Sequence, residues 1–176
     1  ANGWEVGAFF TKTDVSAEAP TFPNGCHVCE VEIDPETGFC EIVSYTGVED
    51  IGTVMNRQLA EGQVQGGVVQ GLGQILCEEM VYDPADGQLL SGTFMDYAMP
   101  RASDMPPLDC GFEPVPTRIN PYGAKGVGEA GTVGALAAGM SAITDAMAQL
   151  GVEGFAMPAP PGRVWSALKA AEDTAA

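Results

Sequence analysis

The sequence predicts an α+β layered domain. Its strands come as hairpins with helices between them, rather than alternating one for one with helices as in a doubly wound parallel sheet. Three observations carry that expectation: a period-two run closed by a Pro-Gly turn, a second turn of the same kind further on, and two long runs with helical spacing.

Taken in order, His27, Cys29, Val31 and Ile33 alternate with Val28, Glu30, Glu32 and Asp34, the pattern of a strand with one wet face. The turn Asp34-Pro35-Glu36-Thr37-Gly38 leads into Cys40, Ile42, Val43 and Tyr45, completing a hairpin. From about Gln58 to Glu79, Val68, Leu72, Ile75, Leu76 and Met80 recur at helical spacing. Gly62, Gly66, Gly67, Gly71 and Gly73 fall in this run, each costing a helix about 1 kcal/mol relative to Ala. Something must therefore approach the backbone closely. A second hairpin is expected from Met80-Val81-Tyr82, the turn Asp83 to Gly87, and Leu89 onward to Phe94. Residues 101–124 are rich in Pro and Gly and read as irregular. Between Thr132 and Leu150, Val133, Leu136, Ala137, Met140, Ile143, Met147 and Leu150 mark an amphipathic helix that Gly151 ends. A last helix begins at Pro161 and carries Val164, Trp165 and Leu168. At 176 residues and 18.2 kDa, one domain spanning 1–176 is expected.

Charge narrows the functional classes. Seven Lys and Arg stand against 24 Asp and Glu, a net charge of -17. Such a surface repels phosphate backbones and anionic headgroups, which argues against nucleic-acid and membrane-surface binding. No apolar run reaches the ~20 residues of a membrane span. Ala1 to Phe10 lacks the basic start and apolar run of a secretion signal, and no Met opens the chain, so a removed segment or a fragment is expected. Cys26, Cys29, Cys40, Cys77 and Cys110 are odd in number and irregularly spaced, so reduced cysteines in a cytoplasmic protein are expected.

Several constellations could carry chemistry. Cys26 and Cys29 form a C-x-x-C, but on a strand they face opposite ways and no second pair stands at ligand spacing. His27, the single histidine, reads as a structural residue on a strand face. Gly126-Val127-Gly128-Glu129-Ala130-Gly131 matches G-x-G-x-x-G, yet Asn120-Pro121-Tyr122-Gly123 breaks the strand that a dinucleotide fingerprint needs before it. The two early glycines would let a ligand touch the backbone, amides entering the following helix favour an anion, and Lys125 adds charge. Glu129, placed in that loop, reads equally as a first-turn acid stabilising the helix and as a general base against a bound ligand. Gln63, Gly67, Gln70 and Gln74 share one helix face, either an ordinary polar face or a surface for a flat polar heterocycle.

In order and spacing, the run Glu61 to Gln74 followed by Lys125 to Thr132 resembles the molybdenum-binding large subunit of the xanthine dehydrogenase and aldehyde oxidase family, in its C-terminal part. Within that family the aerobic carbon monoxide dehydrogenase large-subunit branch looks closest. Cys29 to Gly38, Gly92 to Pro100 and Met157-Pro158 add to the resemblance. It implies a mixed sheet packed by two main helices, as in the family's cofactor-binding domain. It implies molybdenum on a molybdopterin, usually the cytosine dinucleotide, held by the complete subunit and not tightly by this chain alone. It implies electron transfer to iron-sulfur and flavin subunits, with the rest of the large subunit and a small-molecule substrate as further partners and room for a homo-oligomer.

By position, Glu129 matches the family's active-site glutamate, which resolves the tie over its role toward a general base. Gln63 matches a glutamine that hydrogen-bonds the pterin. Lys125, Gly126, Val127 and Gly128 match the loop that brings the glutamate to the metal, and no metal ligand falls on this chain. Gly66, Gly67 and Gly71 then let cofactor and neighbouring domain pack close. About three quarters of a large subunit is missing, and none of the cysteines sits in the context of the copper-holding loop of the carbon monoxide branch. The alternatives are a non-catalytic interaction or regulatory module that keeps the fold, and a nucleotide-binding enzyme using Gly126 to Gly131.

Overall fold

The computed structural model describes residues 14, 16 and 19–175, and the Ala1 to Phe10 stretch read above lies outside them. Strands β1 (Asn24–Ile33) and β2 (Cys40–Asp50) pair antiparallel. A short β3 (Leu108–Phe112) adds parallel to β2, so the sheet is mixed, in the order β1-β2-β3. Helices α1 (Arg57–Leu76), α2 (Ala130–Gln149) and α3 (Pro161–Ala175) complete the described elements. The α+β expectation holds.

The first hairpin forms as its sequence demands. The Asp34 carboxylate accepts from the Glu36 amide at 2.9 Å and the Thr37 hydroxyl at 2.7 Å, and Gly38 takes φ 73° to close the turn. Along β2, Cys40 and Ile42 point inward, and a bulge then resets the phase. Val31 pairs with Ile42 and Glu30 with Ser44, leaving Val43 as the extra residue. As a result Tyr45, Gly47 and Glu49 face inward on the second half of the strand.

The core joins Ile42 and Tyr45 of β2 to Val64, Val68, Leu72 and Ile75 of α1, Ala135, Ile143 and Met147 of α2, and Val164 and Leu168 of α3. On α2 the buried stripe is Gly131, Ala135, Gly139, Ile143 and Met147, an i, i+4 row that differs from the expected apolar set. Val133 is 63% exposed and Leu150 42% exposed. The cause is the close crossing with α1: a Cβ on Gly131 would stand 2.2 Å from the Val64 carbonyl oxygen, so small residues take the contact that bulky ones would fill elsewhere. The glycines of α1 divide accordingly. Gly67 and Gly71 face Thr132 and Ala135 of α2, a contact within this chain rather than with a cofactor or neighbouring domain, while Gly62 and Gly66 meet nothing within 4 Å.

Two further expectations need correction. The second hairpin reduces to one bridge, Tyr82 with Leu89, although its turn forms with Gly87 N–H donating to the Asp83 carbonyl at 2.8 Å. Its flanks find nothing to bury against: Tyr82 is 56% and Phe94 84% exposed. The stretch 101–124 holds β3 and a 3₁₀ turn at Ala102–Asp104. LDCGF is too short to display alternation, and pairing with β2 supplies what its own pattern lacks.

Candidate functional site

The segment Asn120 to Glu129 is fixed at both ends. Asn120 donates through Nδ2 to the Ala124 carbonyl at 2.8 Å and accepts from the Ala124 amide, while Lys125 N–H donates to the Ile51 carbonyl at 2.8 Å, tying the turn to the end of β2. The Lys125 ammonium donates to Asp50 Oδ2 at 2.5 Å. Asp50 Oδ1 also accepts from the Gly52 and Val115 amides, each at 2.9 Å. The Lys125 hydrogen bond, followed by the Val115 amide, pulls the Asp50 carboxyl down to about 2. Lys125 is therefore spent on a carboxylate of its own chain, and the anion-binding part expected of it has a competitor already in place.

Beyond Lys125, Val127 packs against the core while Gly126 and Gly128 are exposed. Gln63 of α1 donates through Nε2 to the Gly128 carbonyl at 3.0 Å. The two sequence motifs thus meet in space. Glu129 is the N-cap of α2, and its carbonyl accepts from Val133 N–H at 3.0 Å. Its side chain makes no capping hydrogen bond and is exposed, but it stands at the N-terminal end of α2, where a carboxylate also interacts favourably with the helix dipole, so both readings of Glu129 remain open on the geometry.

Glu129 borders a cavity of about 500 Å³ whose walls include Phe22, Val127 and Val133, with Gly126 and Gly128 on one rim and His27 and Glu49 on the side formed by β1 and β2. Val133, exposed though apolar in sequence, is part of that wall. Gln63 is not among the residues lining the cavity and holds the loop through the Gly128 carbonyl. Gln70 and Gln74 are exposed on α1, away from the cavity lining. Sequence reasoning passed over Glu49 and Asp50. A glycine inside a strand, Gly47, was the available signal, since it marks a place where another group comes close.

Cys26 is exposed and Cys29 half-buried, and burial pushes the Cys29 thiol up to about 11. Among the described residues no group of three or more His, Cys, Asp or Glu is placed to hold a metal, and no helix is long and apolar enough to cross a membrane.

A family model described as the molybdopterin cofactor-binding domain matches residues 2–106, a range that includes Gln63. The large subunit of nicotine 6-hydroxylase from Paenarthrobacter nicotinovorans is 40% identical over 168 residues, 95% of this chain and 20% of that protein. The carbon monoxide dehydrogenase large chain of Hydrogenophaga pseudoflava is 37% identical over 85% of this chain and 18% of its own length. Among solved structures, carbon monoxide dehydrogenase from Oligotropha carboxidovorans superposes with a TM-score of 0.82 at 32% identity, over 86% of this chain and 19% of that one. The chain spans about a fifth of the length of these relatives.

Proposed function

The chain belongs to the molybdopterin cofactor-binding family, and on that premise we propose that residues 1–176 form one domain, the C-terminal portion of the large subunit of a molybdenum hydroxylase, in which Glu129 is the general base. The observation that carries this reading is the Gln63 to Gly128 hydrogen bond, which ties the pterin-facing helix to the loop that presents Glu129.

The residues present fit the cofactor on one side. Glycine peptides at Gly126 and Gly128 line the cavity and can exchange hydrogen bonds with a flat polar heterocycle, a Cβ at Gly128 would meet nothing within 4 Å, and Gln63, outside that lining, keeps its Oε1 and one amide N–H beyond the bond to Gly128. Lys125 fits less well as a phosphate partner, because Asp50 holds it. We assign the cytosine dinucleotide end to segments outside this chain.

When bound, the cofactor supplies the two-electron oxidation and transfers oxygen derived from water to the substrate. Glu129 takes up the proton released in that transfer, at its carboxylate. Val127, packed against the core, and the Gln63 bond fix the loop, so the backbone that carries Glu129 is held in place before the reaction. Phe22, Val127 and Val133 make one wall of the cavity apolar. Electrons leave to iron-sulfur and flavin subunits, the substrate is a small molecule, and the assembly works in the cytoplasm. In the complete enzyme, Glu129→Gln should lower steady-state turnover by at least ~10²-fold with molybdenum retained. Normal turnover would refute the assignment.

A further inference from the structure

His27 has no part in the account above, yet both of its ring nitrogens are engaged by side chains inside the fold. Its side chain is 5% exposed, Nδ1 lies 2.5 Å from the Tyr45 hydroxyl and Nε2 2.5 Å from Glu49 Oε1, and Glu49 is 3% exposed. The strand register explains the arrangement. Gly47 stands directly across from His27 on β2, and Tyr45 and Glu49 flank it two residues to either side on the same face, so each reaches one ring nitrogen.

The donors follow from the partners. Burial pushes the Tyr45 phenol well above its ordinary value, so it keeps its proton, and among the described residues Nδ1 is the acceptor that the hydroxyl meets. Nδ1 therefore accepts, Nε2 carries the ring hydrogen, and that hydrogen goes to Glu49. Two in-plane hydrogen bonds fix the plane of the ring. Both faces are covered by glycine: a Cβ on Gly47 would stand 3.3 Å from Cε1, and a Cβ on Gly134 of α2 would stand 2.6 Å from Cε1, Cδ2 and Nδ1. Helix α2 thus rests on the imidazole, and its N-terminal turn begins directly after Glu129. His27, Glu49, Gly134 and Glu129 border the same cavity. An apolar side chain could fill this space without the cost of burying an imidazole and a carboxylate, but it would not be held by two hydrogen bonds.

We propose that His27 is the positioning residue of the site: locked in the Nε2–H tautomer by Tyr45 and Glu49, it sets the height of the N-terminal end of α2 above the sheet and thereby the position of the Glu129 carboxylate. The functional half of this statement rests on the reading of Glu129 as base. The tautomer and the contact with α2 do not.

In the complete subunit labelled with ¹⁵N-histidine, the His27 signals are identified as those absent from His27→Gln. One Nε2–H tautomer is expected, with a mixed or reversed population in Tyr45→Phe. A wild-type Nδ1–H tautomer or an averaged pair of signals overturns the proposal. In the complete enzyme, Tyr45→Phe should lower kcat by about tenfold or more, with KM within about twofold and molybdenum content unchanged, the split expected when a reacting group is misplaced. Gly134→Ala, which leaves Tyr45 and Glu49 intact, should shift the His27 resonances and lower kcat in the same way. Unchanged kcat in both variants overturns the positioning role. An active Glu129→Gln enzyme would instead remove the general base while leaving the tautomer result standing, so the two failures are distinguishable.

Discussion

Gln63 on α1 donates its side-chain N–H to the carbonyl of Gly128, 3.0 Å away and 65 positions later in the chain, and so fastens the residue just before Glu129 to a helix. Gln63→Leu keeps helix propensity and size while removing the donor. A single exposed hydrogen bond contributes about 0.5–1 kcal/mol, so chemical denaturation should show a loss of that order. Molybdopterin content of the complete subunit should fall with it; full occupancy would show that Gln63 has no hold on the cofactor.

The Lys125–Asp50 pair makes stability depend on pH in a defined window. The folded-state carboxyl of Asp50 lies near 2, below its ordinary 3.8. A depressed carboxyl contributes stability that is present above the unfolded value and is lost as pH falls through the folded one. Lys125→Met should therefore lower the urea midpoint at pH 7, and the gap from wild type should close as pH falls from about 4 to 2. An equal gap at both ends of that window would contradict the pairing.

Glycines of α1 and α2 that look alike in sequence should respond oppositely to alanine. Gly131→Ala drives a methyl into the Val64 carbonyl and should cost about 1–3 kcal/mol. Gly62→Ala, at a position open within 4 Å, should stabilise by about 0.5–1 kcal/mol through helix propensity. Urea unfolding of both variants gives the two signs directly.

Cysteine reactivity should follow burial. Thiolate is the reacting form, and burial holds the Cys29 and Cys40 thiols at about 11, whereas Cys26 is exposed. At pH 8 an alkylating reagent should label Cys26 well before Cys29 and Cys40, as read by peptide mass mapping. Equal rates would contradict the inward orientation of Cys29 on β1.

Much of this architecture is legible in the chain. The His27 to Ile33 alternation, the Asp34 to Gly38 turn and the two long helices are local properties, set by periodicity and capping, and the structure has each within a few residues. What escaped notice depends on contacts between distant segments. LDCGF becomes β3 only because β2 offers a parallel edge, and Val133 leaves the core because Gly131 and Gly139 bring α1 too close for bulk. At the site, the spacing of Gln63 and Glu129 could be read as two motifs but not as neighbours. The part of Asp50 in holding Lys125, and of Glu49 in holding His27, requires the hairpin register and its bulge, which no local pattern announces.

Single-turnover reduction of the complete enzyme by its substrate, followed without oxygen in wild type and Glu129→Gln at matched molybdenum content, tests the central claim most directly. The step that needs the base is then observed apart from electron exit. The rate constant should fall by at least ~10²-fold in Glu129→Gln while substrate affinity stays near wild type. A variant reduced as fast as wild type would contradict the assignment of Glu129 as the general base.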